Sequence, residues 1–336
     1  MREPRFWWRK AGIEAALLAP LAAVYGAVSA QRLRRSGANA GIPVICVGNL
    51  TVGGAGKTPA ALTVARLLIN AGQRVFFLSR GYGGRLQGPV RVDPVRHRAA
   101  DVGDEPLLLA RVAPTIVAGD RVAGAQMARA AGASTVVMDD GFQNPSLRKN
   151  FSIVVLDGRR GVGNCRVIPA GPLRAPLRAQ LKRADAVLLI GPESPASAAA
   201  IARAAARGLP IFHGWLEPEA DAVAALSGHR VLAFAGIGDP EKFFATLADA
   251  GILAPVNRHF PDHHPYSRAE AEALLAGAAA DDLVLVTTEK DLARIAGDKN
   301  LVALAKVTRA LPVTLQIEEA DALEQLLLKT TREARG

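Results

Sequence analysis

Thr51-Val-Gly-Gly-Ala-Gly-Lys-Thr58 is the stretch on which the reading of this chain turns. A β-like run, Ile42 to Val47, leads into it, and a helix-like run, Pro59 to Ala71, follows it. A strand feeding a glycine loop that opens a helix makes an anion site. Backbone N–H groups converge there, and the helix dipole adds partial positive charge. Thr51, Val52, Gly53, Gly54, Ala55 and Gly56 would cradle phosphates, Lys57 would reach the β- and γ-phosphates, and the Thr58 hydroxyl would take a Mg²⁺ position. The usual pattern begins with glycine, and here Thr51 stands in that place; the remaining glycines still supply positive-φ turns. A glycine turn before a surface helix is the plainer alternative. Gly-Lys-Thr at a strand–helix junction favours phosphate.

The chain has 336 residues, which favours two domains. Its 50% hydrophobic and 21% charged fractions are those of a folded protein. The formal net charge of +10 suits nucleic acid, an anionic membrane face or a phosphorylated substrate. Zinc spacing is absent and aromatic residues for base stacking are few, which argues against nucleic acid. Cys46 and Cys165 make no disulfide framework, so a reducing compartment is the simpler expectation.

Residues 1–35 stand apart. Arg2, Arg5, Arg9 and Lys10 surround Phe6, Trp7 and Trp8; an apolar stretch runs from Ala15 to Ala30, and Arg32, Arg34 and Arg35 follow. A cleaved signal would fit Val28-Ser29-Ala30. A spanning helix needs roughly 20 apolar residues, and this run is short and interrupted by Pro20. The third reading is an interfacial anchor, with tryptophans at headgroup depth and arginines on anionic lipid. An ATP-type loop downstream argues against secretion. The expectation is a peripheral or shallow anchor on the cytoplasmic face of an inner membrane.

Beyond residue 40 strands and helices alternate. Short apolar runs without strict alternation, such as Val75–Leu78, Thr135–Met138, Ile153–Leu156 and Val187–Ile190, suggest a sheet buried on both faces. The expected fold is a P-loop NTPase-type, doubly wound α/β sheet. Residues 36–215 are assigned to it, and 216–336 to a smaller second α/β domain that includes Val313–Ile317 and a final helix from Ala320.

Several constellations carry chemistry. Thr135-Val-Val-Met-Asp139-Asp140 is an apolar strand ending in two carboxylates, and either could hold Mg²⁺. An Asp-Gly turn is the alternative. Asp101-Val-Gly-Asp104-Glu105-Pro106 precedes a helix and reads equally as helix capping or as a site where Asp104 serves as base. Phe260-Pro-Asp262-His263-His264 gathers ionisable groups in a loop that is either an exposed turn or the source of an Asp–His pair. In Ser79-Arg80-Gly81-Tyr82, Arg80 suits phosphate and Tyr82 suits stacking on a sugar. Thr287-Thr-Glu-Lys-Asp291 is a near miss to a guanine-reading motif.

Taken together these segments resemble tetraacyldisaccharide 4′-kinase, the lipid A pathway kinase. The matching pieces are Gly48-Asn49-Leu50 with the Thr51–Thr58 loop, Ser79-Arg-Gly-Tyr82, Gly103-Asp-Glu-Pro106, Asp139-Asp-Gly-Phe-Gln143, Pro169-Ala-Gly-Pro-Leu-Arg174, Asp262-His263 and Thr287–Asp291. The resemblance implies ATP- and Mg²⁺-dependent phosphorylation of the 4′-hydroxyl of an acylated glucosamine disaccharide 1-phosphate. It implies Asp104 and His263 as a catalytic dyad, and Arg80, Tyr82, Arg121, Gln143 and Arg174 on the substrate side. It implies an anionic inner-membrane surface as a partner, with no nucleic acid and no obligate protein partner. Asn144 and Ala175 depart from the His and Glu that the family often carries there. A nucleotide-dependent switch is the rival class, but the second lysine such proteins often place at the loop's start is replaced by Thr51.

Overall fold

The computed structural model describes residues 3–334; Arg2, named above among the basic residues of the N-terminus, lies outside them. Thirteen strands are formed among the described residues. They are β1 Val44–Asn49, β2 Val75–Ser79, β3 Val90–Arg91, β4 Thr115–Val117, β5 Thr135–Asp139, β6 Phe151–Asp157, β7 Ala186–Ile190, β8 Ile211–Pro218, β9 Arg230–Ala235, β10 Leu253–His259, β11 Val284–Thr287, β12 Arg309–Ala310 and β13 Val313–Ile317.

One sheet runs β13-β8-β7-β6-β1-β5-β2-β4-β3, the other β10-β9-β11-β12. The large sheet is parallel except at its two edges, where β13 and β3 pair antiparallel. β1 is central and wholly buried. Val44 and Cys46 join the apolar cluster on one face, and Ile45 and Val47 join the one on the other. That two-sided burial is why the strands read as continuous apolar runs. The smaller sheet is parallel throughout and also has a cluster on each face.

The domain assignment needs one correction. Val313–Ile317 does not belong to the second sheet. It pairs with β8, Leu315 opposite Leu216, and closes the edge of the first. Leu315 and Ile317 share a cluster with Ile45 and Val47, as do Leu323 and Leu327 of the helix Ala320–Glu333. The strand that receives them is β8, Ile211–Pro218, formed despite the Pro and Gly within and beside it. The second sheet is therefore an insertion within the first domain.

The N-terminal segment forms helices Ile13–Leu17 and Ala19–Arg34, broken at Leu18. No helix among the described residues is long and apolar enough to cross a membrane. The residues before them are tied down. Trp7 Nε1 donates to the Pro169 carbonyl at 2.9 Å, and Trp8 Nε1 donates to Glu3 Oε2 at 3.0 Å. Glu3 in turn accepts from Arg160 at 3.2 Å.

Candidate active site

The phosphate loop leaves β1 and opens the helix Lys57–Asn70. Gly56, the residue before the helix, has φ 89°, a left-handed conformation that glycine adopts without steric cost. β5 lies beside β1 with Val47 opposite Asp139, so the carboxylates at the end of β5 arrive next to the loop. Parallel pairing of these two strands is the local cause of that juxtaposition.

The two aspartates have different environments. Asp140 is held by Arg174, with Nη1–Oδ1 at 2.8 Å and Nη2–Oδ2 at 3.2 Å, and lies 3.9 Å from Lys57. Burial opposes its ionisation, but Lys57 and Arg174 outweigh burial and bring its pKa down to about 2. Asp139 is 1% exposed, and neither oxygen has a hydrogen-bond partner. Burial, with Glu105 and Asp140 nearby, pushes it up to about 7. Thr58 Oγ1 is likewise buried and unpartnered. Three hard oxygen atoms without protein partners beside a phosphate loop suit Mg²⁺.

Across the cleft, loops from the second domain complete the site. His263 Nδ1 is 3.6 Å from Asp104 Oδ2, and its ring lies 4.9 Å from that of Tyr82. Burial opposes the ionisation of Asp104, but His263, Arg294 and Lys290 outweigh it and hold the carboxyl below the usual carboxylate range. Asp104 in turn raises His263, against burial. Asp140 (φ 50°) and His263 (φ 55°) both occupy left-handed backbone, a conformation worth about 1–3 kcal/mol of strain that tends to collect at functional sites. Gly238 packs on the phosphate loop itself: a Cβ there would come within 3.1 Å of the Gly54 amide nitrogen. The cleft has a volume of about 380 Å³. Its lining includes the apolar Leu62, Leu216, Ile237, Phe243, Leu311 and Val313, and the polar Lys57, Asp140, Tyr82, Arg174 and His263.

Not every residue expected at the site reaches this cavity. Arg121 is 3% exposed and donates to the carbonyls of Ala118 and Gly119. Gln143 donates to the Asn49 carbonyl at 2.7 Å and to Gln180 at 3.0 Å, and so braces the loop from behind. Arg80 is exposed and does not line the cleft. Asn144 is bonded within its own turn to Ser146, and Ala175 is fully buried. Three charged residues went unassigned in the sequence: Glu105 and Lys290, paired at 2.6 Å, and Arg294, bonded to Asp104. Their only signal was position, next to Asp104 and within or just after Thr287–Asp291.

The family model described as tetraacyldisaccharide-1-P 4′-kinase (LpxK) matches residues 14–332. A tetraacyldisaccharide 4′-kinase of Nitrobacter winogradskyi is 53% identical over 328 residues, covering 98% of this chain and 97% of that one. One of Methylobacterium nodulans is 57% identical over 323 residues, covering 96% and 94%. Among solved structures, the crystal structure of LpxK from Aquifex aeolicus in complex with ATP superposes with a TM-score of 0.73 at 27% identity. It covers 94% of this chain and 99% of that one.

Proposed function

This chain belongs to the tetraacyldisaccharide-1-P 4′-kinase family, and we propose that it carries out that reaction with the residues just described. It is an ATP-using kinase that phosphorylates a lipid A precursor. The acceptor is the 4′-hydroxyl of the acylated glucosamine disaccharide 1-phosphate. The observation that carries the residue-level reading is the pair of buried, unpartnered side chains beside the phosphate loop, Thr58 and Asp139.

The loop amides from Gly53 to Thr58 and the Lys57 ammonium hold the ATP phosphates, and the apolar wall around Leu216 and Phe243 takes the base. Thr58 and Asp139 would hold Mg²⁺, which when bound neutralises charge on the β- and γ-phosphates. Asp140, committed to Arg174, fixes the loop's mouth. Asp104 accepts the proton of the 4′-hydroxyl. A carboxylate held below its usual range is a weak proton sink. Phosphoryl transfer through a loose transition state asks for little proton removal early, so Asp104 contributes mainly by aligning the hydroxyl. His263 lies beside Asp104 and, with Arg294 and Lys290, favours the ionised form of that carboxylate. Tyr82, its ring tilted against that of His263, and Arg174 border the place where the sugar enters.

The lipid end is served by the N-terminal helices. Ile13, Leu17, Leu21, Val24 and Val28 are exposed at helical spacing, with Ile13 and Leu17 more than three-quarters accessible. Arg5, Arg9 and Lys10 flank one end of this stripe and Arg32, Arg34 and Arg35 the other. Such a face lies in the headgroup plane of an anionic bilayer, on the cytoplasmic side of the inner membrane where ATP is available. Incubation with labelled ATP, Mg²⁺ and the disaccharide 1-phosphate, followed by lipid extraction, tests the reading. Label in the organic phase is expected; label released only as inorganic phosphate would overturn it.

A further inference from the structure

The helix Glu289–Ala296 of the second domain meets the helix Asp104–Leu109 of the first. Lys290 and Arg294, one turn apart, each take one of two consecutive acids. Lys290 Nζ reaches Glu105 at 2.6 Å, and Arg294 Nε donates to Asp104 Oδ2 at 2.9 Å, with Nη2 on the same oxygen. The remaining terminal nitrogen, Nη1, donates to the Gly236 carbonyl and to Asp291 Oδ1, both at 2.7 Å. Asp291 is fully buried. It accepts the Tyr266 hydroxyl at 2.8 Å, the Thr288 hydroxyl at 2.7 Å and the Gly236 amide at 3.1 Å. The guanidinium is therefore clamped in plane on the second domain before it touches the first.

On the other side, Asp104 Oδ1 accepts the Glu105 amide at 3.0 Å. With one oxygen fixed by its own helix and the other by Arg294, the carboxylate plane cannot turn. His263, at 3.6 Å, lies beyond hydrogen-bond length. Arg294 is thus the hydrogen-bonded partner that the second domain supplies to Asp104.

We propose that Arg294 is the positioning residue of the transfer site: it sets the plane of the Asp104 carboxylate and makes that setting depend on the second domain being seated. The proposal rests on the reading of Asp104 as the group that takes the 4′-hydroxyl. A planar guanidinium held from the second domain suits this task better than a point charge, since two of its N–H groups converge on one oxygen and fix a direction of approach and not only a distance. Arg294 acts through Asp104 and needs no contact with either substrate.

The test uses the full-length protein with ATP, Mg²⁺ and the disaccharide 1-phosphate. Arg294→Ala is expected to lower kcat by about 100-fold, the scale of a displaced acid–base group, while KM for both substrates stays within about threefold. Methylguanidinium is expected to restore part of kcat, and ethylammonium is not. Arg294→Lys, which keeps the charge without the planar guanidinium, is expected to fall between wild type and alanine, and it stands in if the alanine variant does not fold. A kcat near wild type in either variant, or a loss confined to KM, would overturn the proposal, as would rescue by ethylammonium equal to that by methylguanidinium. Asp104→Asn separates the two readings. If it keeps full activity, the role of Asp104 itself fails; if it is inactive while Arg294→Ala turns over normally, only the positioning role fails.

Discussion

Arg174 grips Asp140 through two hydrogen bonds and donates from Nε to the Thr51 carbonyl at 2.9 Å, so one side chain joins the end of β5 to the start of the phosphate loop. The engagement of Asp140 leaves Asp139 as the carboxylate free for a cation. Asp139→Asn is expected to reduce turnover by about 100-fold or more, as for loss of one preorganised electrostatic contact, and to raise the Mg²⁺ concentration needed. Because Asp139 has no protein partner to lose, the variant without ligands should melt no lower than wild type. Kinetics over a Mg²⁺ titration and calorimetry check both halves. Normal kinetics with a lowered melting temperature would remove Asp139 from the metal.

Lys57 tests the phosphate end. Its ammonium reaches the Gly53 carbonyl at 3.3 Å and faces Asp140, so without ATP it already points along the loop. Lys57→Ala should lower kcat/KM for ATP by roughly 100- to 1000-fold while the sheet, which does not rely on this side chain, stays folded. Activity within a few fold of wild type would sink its assigned role.

His263 gives a pH prediction. Asp104 raises its pKa above 6.5, so an imidazole NMR titration should show a midpoint above that value, and Asp104→Asn should move it down. The sign for stability follows from linkage. A group whose pKa rises on folding stabilises fully below its unfolded value, and that contribution is lost as pH climbs through the folded value. Wild type should therefore lose some stability upward from pH 6.5, and His263→Ala should lack that portion of the slope. An unshifted midpoint would separate the two residues.

For the membrane face, a point substitution is cleaner than deletion. Trp7 is bonded to the Pro169 carbonyl, and removing residues 1–35 would disturb the loop carrying Arg174. Leu21→Glu places a charge in the exposed stripe without touching that contact. Cosedimentation with anionic vesicles should drop several-fold while ATP binding is unchanged. Equal vesicle binding would locate the lipid contact elsewhere.

Legibility in the sequence followed the range of the interactions involved. Strands β1, β2, β5, β6 and β7 were readable because burial on both faces leaves an uninterrupted apolar run. The phosphate loop was readable because its chemistry is local. Asp104 and His263 came from motif resemblance, since nothing in either segment says that they meet. Arg294 was invisible: its meaning lies in a contact 190 residues away. The strand 211–218 was hidden by Pro210, Gly214 and Pro218, and without it the return of Val313–Ile317 to the first sheet could not be inferred.

That return has a consequence for how the protein is made. β13 is the partner of β8, and the final helix covers the cluster that contains Ile45. The nucleotide-binding domain, begun by the first strand, is finished only by β13 and the helix Ala320–Glu333, after the inserted domain has been synthesised. Until then β8 is an open edge with unpaired backbone groups, a surface prone to pairing with other chains. A chain stopped near residue 312 is thus an unfinished kinase domain with a finished inserted domain, and its expected fate is aggregation or proteolysis rather than partial activity.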